Sequence, residues 1–140
     1  MAKHTIIKTA AAPAPKRHFS QGSRFGGLIF TSGQGPVDPK TGTITTSDIA
    51  LQTRQTFENL ARILEAGGSS LEHVLKVNVY LRRMEDIAKV DEVFRQYFTG
   101  EPPPRATVGA VLGTPGTPER PGMDVEIEMV AYVPDAPLRL

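Results

Sequence analysis

The strongest pattern in the chain is a run of apolar positions at helical spacing between residues 48 and 66. These positions recur every three to four residues, which is typical of a helix with one buried face. They are Thr53, Phe57, Leu60, Ala61 and Leu64. Ser47 or Asp48 is the predicted N-cap of this helix, and Gly67-Gly68 is its predicted end.

A second helix is predicted to open at Glu85-Asp86, where a shorter stripe of the same spacing begins. The stripe consists of Ile87, Val90, Phe94 and either Tyr97 or Phe98. Gly100 is the predicted end of this helix. Both predicted helices therefore carry one apolar face that has to pack on another layer.

Alternation of apolar and polar residues predicts two longer strands, at residues 74–81 and 124–133. The predicted buried positions are Leu75, Val77, Val79 and Leu81 in the first, and Val125, Ile127, Met129, Ala131 and Val133 in the second. Glu126 and Glu128 fall on the opposite side of the second strand, together with Val130 and Tyr132. Each strand is thus predicted to bury one face only.

Shorter strands are predicted around these elements. Residues 4–9 form a plausible edge strand, and residues 17–25 and 28–32 form a hairpin joined through Gly26-Gly27. Three prolines stiffen the approach to a mostly apolar run that starts at Arg105, and this run is predicted to be a buried strand. The proline- and glycine-rich segment 112–122 is predicted to be a loop, and the tail 134–140 is expected to fray.

The order of these elements predicts an α+β fold in a single domain of residues 1–140. Two helices can cover one face of a mixed β-sheet. The chain offers no third helix for the other face, so a partner subunit is the expected cover.

Composition narrows the class of protein. The 140 residues include no cysteine, which fits a reducing, cytoplasmic location and excludes disulfides. The beginning of the sequence lacks the apolar run of a signal peptide, and no stretch is apolar enough to span a membrane. The net charge of +1 comes from interspersed charges, so no nucleic-acid partner is expected.

The candidate chemistry is equally restricted. The three histidines are far apart in sequence, so no metal site is expected, and the usual nucleophile-elbow and phosphate-loop motifs are absent. The remaining candidate functional groups are Arg105, the strand carboxylates, the hydroxyls of Ser32 and Thr107, and glycine amides. Together these groups could hold a small carboxylate and place a water molecule. From its own stretch alone, Arg105 is slightly better explained by a side chain that extends to solvent or pairs with a local glutamate than by a ligand clamp.

Three motifs resemble the RidA/YjgF family of small enamine/imine deaminases. They are the segment Thr31-Ser32-Gly33-Gln34 with the turn that follows it, the segment Pro104-Arg105-Ala106, and the closing Val125-Glu126-Ile127-Glu128. The resemblance implies a chorismate-mutase-like fold. It also implies a homotrimer whose sheets form a barrel, with sites in the clefts between subunits.

The same resemblance implies hydrolysis of reactive 2-imino acids to 2-oxo acids and ammonia without a cofactor. In this chain Arg105 would grip the substrate carboxylate, Glu126 would position or activate water, and Ser32 and Gly33 would line the site. The chain departs from the family pattern at three positions, and these leave the substrate open. They are Phe19 in place of a tyrosine, Thr107 in place of a cysteine, and Asp91 in place of an asparagine.

Two other functions stay open at this stage. A trimer that binds small carboxylates without turnover would also suit the departures at Phe19 and Thr107, which are otherwise expected to contact substrate. RNA cleavage or translation inhibition is less favoured, because no histidine pair or basic stripe supports it. Asp91 is expected to be a solvated helix residue, and Glu128 a structural one.

Overall fold

The computed structural model describes residues 3–136, so part of the predicted frayed tail, residues 137–140, lies outside the described residues. Eight strands and two α-helices follow one another along residues 3–136. They are β1 (Thr5–Ile7), β2 (Gly22–Phe25), β3 (Leu28–Thr31), β4 (Val37–Asp38), β5 (Thr43–Ile44), α1 (Ile49–Ala66), β6 (Val74–Leu81), α2 (Ile87–Tyr97), β7 (Arg105–Gly109) and β8 (Val125–Tyr132). This order confirms the predicted α+β class.

Both predicted helices are present. Asp48 is the N-cap of α1, and its carboxylate accepts a hydrogen bond from the Leu51 amide at 3.0 Å. The predicted stripe of α1 is buried, and its Phe57 ring stacks on Tyr97 and meets the edge of Phe94 from α2. A short 3-10 turn at Met84–Asp86 precedes α2, which therefore starts slightly later than predicted.

Six strands form one mixed sheet in the order β1-β2-β3-β8-β6-β7. All neighbours are antiparallel except β6 and β7, which run parallel. One face of the sheet carries the core side chains and packs against the helices. The small β4–β5 hairpin forms a separate two-stranded sheet around the turn at residues 38–42.

Within residues 3–136, the strands direct no side chain of the core cluster to the other face of the sheet. Several large apolar side chains on this face are exposed, and they belong to strands from both edges and the centre. They are Ile6, Phe25, Phe30, Val108 and Tyr132. We call this surface the open face. An apolar surface of this extent on a small domain is typical of an interaction site.

Three strand predictions need correction. The predicted buried strand after the prolines is β7, which is an exposed edge strand because it pairs with β6 alone. Leu75 is 42% exposed rather than buried. The strand register shifts between Val74 and Lys76, and this shift turns the Leu75 side chain away from the core. The predicted strand 17–25 begins only at Gly22, since residues 17–20 are exposed and irregular and Gln21 is a buried bend residue.

Candidate functional site

Arg105 is the first residue of β7, where its guanidinium lies between the sheet edge and α2. The group sits over the Phe94 ring, with its central carbon 4.6 Å from the ring centroid. One terminal nitrogen is 2.7 Å from Oδ1 of Asp91. Its side chain is only 22% exposed, so the charge is held by two partners rather than left in solvent. The Arg105 guanidinium is therefore held in place before any ligand binds.

Asp91 corrects the expectation of a solvated helix residue. Its side chain is 32% exposed, and Oδ1 is buried against Arg105. Although the two groups form a close ion pair, Oδ1 lacks a well-aligned hydrogen bond within residues 3–136. The carboxylate thus neutralises Arg105 while retaining capacity to accept a hydrogen bond.

A cavity of about 420 Å³ opens beside this ion pair. Its walls come from α2 and from the segment that leads into β7. They include Asp91, Phe94, Arg95, Phe98, Pro102 and Arg105. An apolar wall with a few charged groups is typical of a site for a small organic ion.

Glu126 lies elsewhere, on β8, where it packs against Gly33. A side chain on Gly33 would meet it, because a Cβ placed there would be 2.8 Å from Cδ and 3.0 Å from Oε1 of Glu126. Only glycine at position 33 leaves the carboxylate where it is. The structure therefore brings together two residues predicted to belong to one site.

The surroundings of Glu126 favour its protonated form. Partial burial raises its pKa, and the neighbouring charge of Glu128 raises it further. Glu128 itself accepts hydrogen bonds from the Tyr80 hydroxyl at 2.7 Å and from Asn78 Nδ2 at 3.1 Å. Those bonds agree with the predicted structural role of Glu128. A half-buried carboxylate with a raised pKa is suited to proton transfer.

Ser32 is held by internal hydrogen bonds. Its hydroxyl donates to the Gln21 carbonyl at 3.0 Å and accepts from Gln34 Nε2 at 3.1 Å. Buried Asn59 of α1 fixes the segment that follows, because its amide donates to the carbonyls of Gly35 and Val37. The Ser32 hydroxyl therefore positions the loop carrying Gly33.

The remaining two predicted site residues are Thr107 and Phe19, which have different surroundings. Thr107 pairs with Val79 and shares the helix-covered side of β7 with Arg105. Phe19 is 51% exposed and lines a different cavity, formed with the segment around β1 and Gln21. The predicted role of these two residues in binding substrate therefore stays a prediction.

The predicted catalytic pair is not united within one protomer. Arg105 pairs with Val77, whose buried side chain faces the helices, whereas Glu126 pairs with Tyr80, which lies on the opposite side of β6. Because successive residues of a strand point to opposite faces, Arg105 lies on the helix-covered face and Glu126 on the open face. A single chain therefore places the two predicted catalytic residues on separate surfaces, which we call the two proposed half-sites.

Sequence reasoning missed the partners of Arg105. Phe94 was assigned to the helix stripe alone, and Asp91 precedes it by three residues, which places both on neighbouring turns of α2. That spacing is the signal that could have found them. No group of residues suited to a metal ion occurs within 3–136. None of the helices in that range has the length and apolarity needed to cross a bilayer.

Comparison with known proteins agrees with this architecture. The chain belongs to the Endoribonuclease L-PSP family, which includes the RidA, YjgF and RutC proteins, and the family model matches residues 9–133. A RutC family protein of Pyrococcus horikoshii is similar to it, with 45% identity over 91% of this chain and 96% of that protein. The predicted family is thereby confirmed.

Other relatives carry more specific names. A protein of Dermatophagoides farinae named 2-iminobutanoate/2-iminopropanoate deaminase is 32% identical over 78% of this chain and 85% of its own. The crystal structure of the E. coli YjgF gene product matches with a TM-score of 0.80 and 34% identity, covering 91% of this chain and 98% of that one. The structure of E. coli TdcF with bound serine has the same score, identity and coverage. These neighbours confirm the YjgF/RidA fold.

Proposed function

We propose that the protein hydrolyses small 2-imino acids to 2-oxo acids and ammonia. The observation that carries this proposal is Arg105, which is fixed by Asp91 and Phe94 at the wall of a cavity large enough for such a molecule. The deaminase name of one relative and the serine bound to another support a small substrate with a carboxylate.

Arg105 would bind the substrate carboxylate. A guanidinium offers paired N–H donors that match both oxygens of a carboxylate. Each such charge-assisted hydrogen bond contributes about 1.5–3 kcal/mol. Because Phe94 and Asp91 already hold the group, little of that energy is lost in ordering it. The substrate would be fixed at one end.

Glu126 would act first as general base and then as general acid. Its carboxylate would take a proton from water as the water oxygen bonds to the carbon of the protonated imine and the C=N electron pair moves to nitrogen, which gives a neutral amine. Glu126 would then return the proton to that nitrogen. The C–N bond would break as the hydroxyl oxygen forms the carbonyl, and the remaining hydroxyl proton would pass to the released ammonia.

The site requires two chains in this proposal. Arg105 and Thr107 lie on the helix-covered side of the edge strand β7, whereas Glu126, with Gly33 against it, lies on the open face. A homotrimer that buries the open face would bring the β7 edge of one protomer to the Gly33–Glu126 surface of its neighbour. Ser32 and Phe19 would then belong to the neighbour's contribution.

A coupled assay tests the proposal. A pyridoxal-phosphate-dependent threonine dehydratase generates the imine, and release of 2-oxobutanoate is followed with and without this protein. The wild type should speed release. Arg105→Ala should lose most of this effect through a higher KM, by about 100-fold, since two charge-assisted hydrogen bonds are removed.

Arg62→Ala is the matched control, because this arginine makes only exposed ion pairs with Glu58 and Glu65 on α1. It should retain full activity. A wild type that never speeds release would overturn the deaminase proposal.

The ion pair of Arg105 with Asp91 also supports a second candidate, a carboxylate-binding protein without turnover. Ligand-induced thermal stabilisation without any acceleration would favour it. RNA cleavage has less support. His73 Nδ1 lies 3.2 Å from the Tyr132 hydroxyl on the surface, and His4 and His18 are exposed in other parts of the described chain.

A further inference from the structure

Asp91 is placed where it can act on a ligand as well as on Arg105. It lines the same cavity, and its buried Oδ1 has no well-aligned hydrogen bond to any residue in the range 3–136. Arg105 contacts this oxygen at 2.7 Å, and the Asp91 side chain as a whole is 32% exposed. Part of the Asp91 side chain therefore stays accessible to a ligand beside Arg105.

The charges of the cavity decide which ligands fit. Arg105 has N–H donors enough for two carboxylates, so a ligand carboxylate could share it with Asp91. The ligand would then lie within a few ångströms of a fixed negative charge. A plain anion is repelled by that charge, whereas a ligand with a cationic nitrogen next to its carboxylate is attracted.

Taking the deaminase function proposed above as its basis, we propose that Asp91 is a specificity residue that selects ligands with a cationic N–H group beside the carboxylate. The protonated imine has such a group and the 2-oxo acid lacks it. Asp91 would therefore bind the substrate in preference to the product. It would also favour release of the 2-oxo acid after the C–N bond breaks.

The test compares two ligands with the same carbon chain, 2-aminobutanoate and 2-oxobutanoate. They differ in an ammonium group versus a carbonyl oxygen. Dissociation constants are measured by titration calorimetry on the full-length wild type, Asp91→Asn and the control Glu92→Gln, which removes the same charge from an exposed neighbouring position of α2.

The wild type should prefer 2-aminobutanoate. Asp91→Asn should reduce that preference about fivefold to tenfold, as expected for one partly exposed charge pair. Asp91→Asn should bind 2-oxobutanoate more tightly and 2-aminobutanoate more weakly than the wild type. Glu92→Gln should leave both dissociation constants unchanged. Product inhibition of the coupled assay by 2-oxobutanoate should be stronger in Asp91→Asn.

Three results would overturn the inference. They are a wild type without preference, an Asp91→Asn variant that changes both affinities in the same direction, and one that changes neither. Arg105→Ala separates this failure from that of the proposed function. If Arg105→Ala no longer binds either ligand while Asp91→Asn leaves the preference between the two ligands unchanged, only the role of Asp91 is wrong. If Arg105→Ala binds both as tightly as the wild type, the carboxylate grip itself is wrong.

Discussion

The two half-sites differ in how they are completed. Around Arg105 the chain supplies its own counter-ion, its own aromatic wall and a cavity. Around Glu126 it supplies a close glycine and a second carboxylate, but no cation was found in contact with Glu126 within residues 3–136. One half-site is electrostatically balanced and the other carries excess negative charge.

This difference explains why the proposed site spans two protomers. An arginine on an exposed edge strand and a pair of carboxylates on an open apolar face are each incomplete alone. Bringing the two surfaces together would place the Arg105 guanidinium near the carboxylates of the neighbour and bury the apolar side chains at once. The same fold could then use assembly both for stability and for catalysis.

A charge introduced on the open face should have the largest effect on assembly and activity. Phe30→Glu places a charge on a side chain that is 47% exposed in the protomer, so the protomer should still fold. If copies bury the open face, the charge should prevent assembly and abolish activity. Light scattering should then give the 15.2 kDa of one chain instead of three times that mass.

Leu51→Glu is the control for this variant. Leu51 has a similar exposed fraction of 52% but lies on α1, away from the open face. It should leave the mass and the activity unchanged. Equal masses for Phe30→Glu and the wild type would contradict burial of the open face.

Removing the proton-transfer group should have the next largest effect. Glu126→Gln keeps the shape of the side chain beside Gly33 but cannot accept a proton. We expect kcat to fall by about 10²–10⁴, the usual contribution of a general acid or base. Binding of 2-oxobutanoate should be largely retained, since Arg105 is intact. A Glu126→Gln variant with normal kcat would exclude this role.

The smallest predicted effect is on the pH profile. Burial and the charge of Glu128 both raise the pKa of Glu126, so its carboxylate is the active form only above that raised value. Glu128→Gln removes one of the two causes and should lower the pKa of Glu126. The acidic limb of kcat/KM should move to lower pH by a fraction of about one unit. The exposed Glu72→Gln should leave that limb in place, and a shift to higher pH in Glu128→Gln would contradict the assignment.

Local patterns predicted the elements, and pairing between elements explains the rest. The long stripe of α1 with Asp48 as its cap, and the alternation that sets Glu126 opposite Ile127, depend on neighbours in sequence and were predictable. The exposure of Leu75 depends on a register shift against β8, which no local pattern encodes.

The candidate site shows the same limit. The residue types of Arg105, Gly33 and Glu126 could be chosen from sequence and resemblance. Their placement on opposite faces follows from the pairing of β6 with both β7 and β8. β7 was predicted to be buried because its apolar composition resembles that of a central strand, and composition does not show that β7 lies at the sheet edge.

The most direct test of the two-chain site mixes two inactive variants. Arg105→Ala and Glu126→Gln chains are co-expressed in equal amounts, and the mixed oligomers are assayed. If each site takes its arginine from one chain and its glutamate from another, about one quarter of the sites should be intact, and a corresponding fraction of wild-type activity should return. If the mixture stays as inactive as the separate variants while forming mixed oligomers, the two residues do not meet across a subunit boundary and the account is wrong.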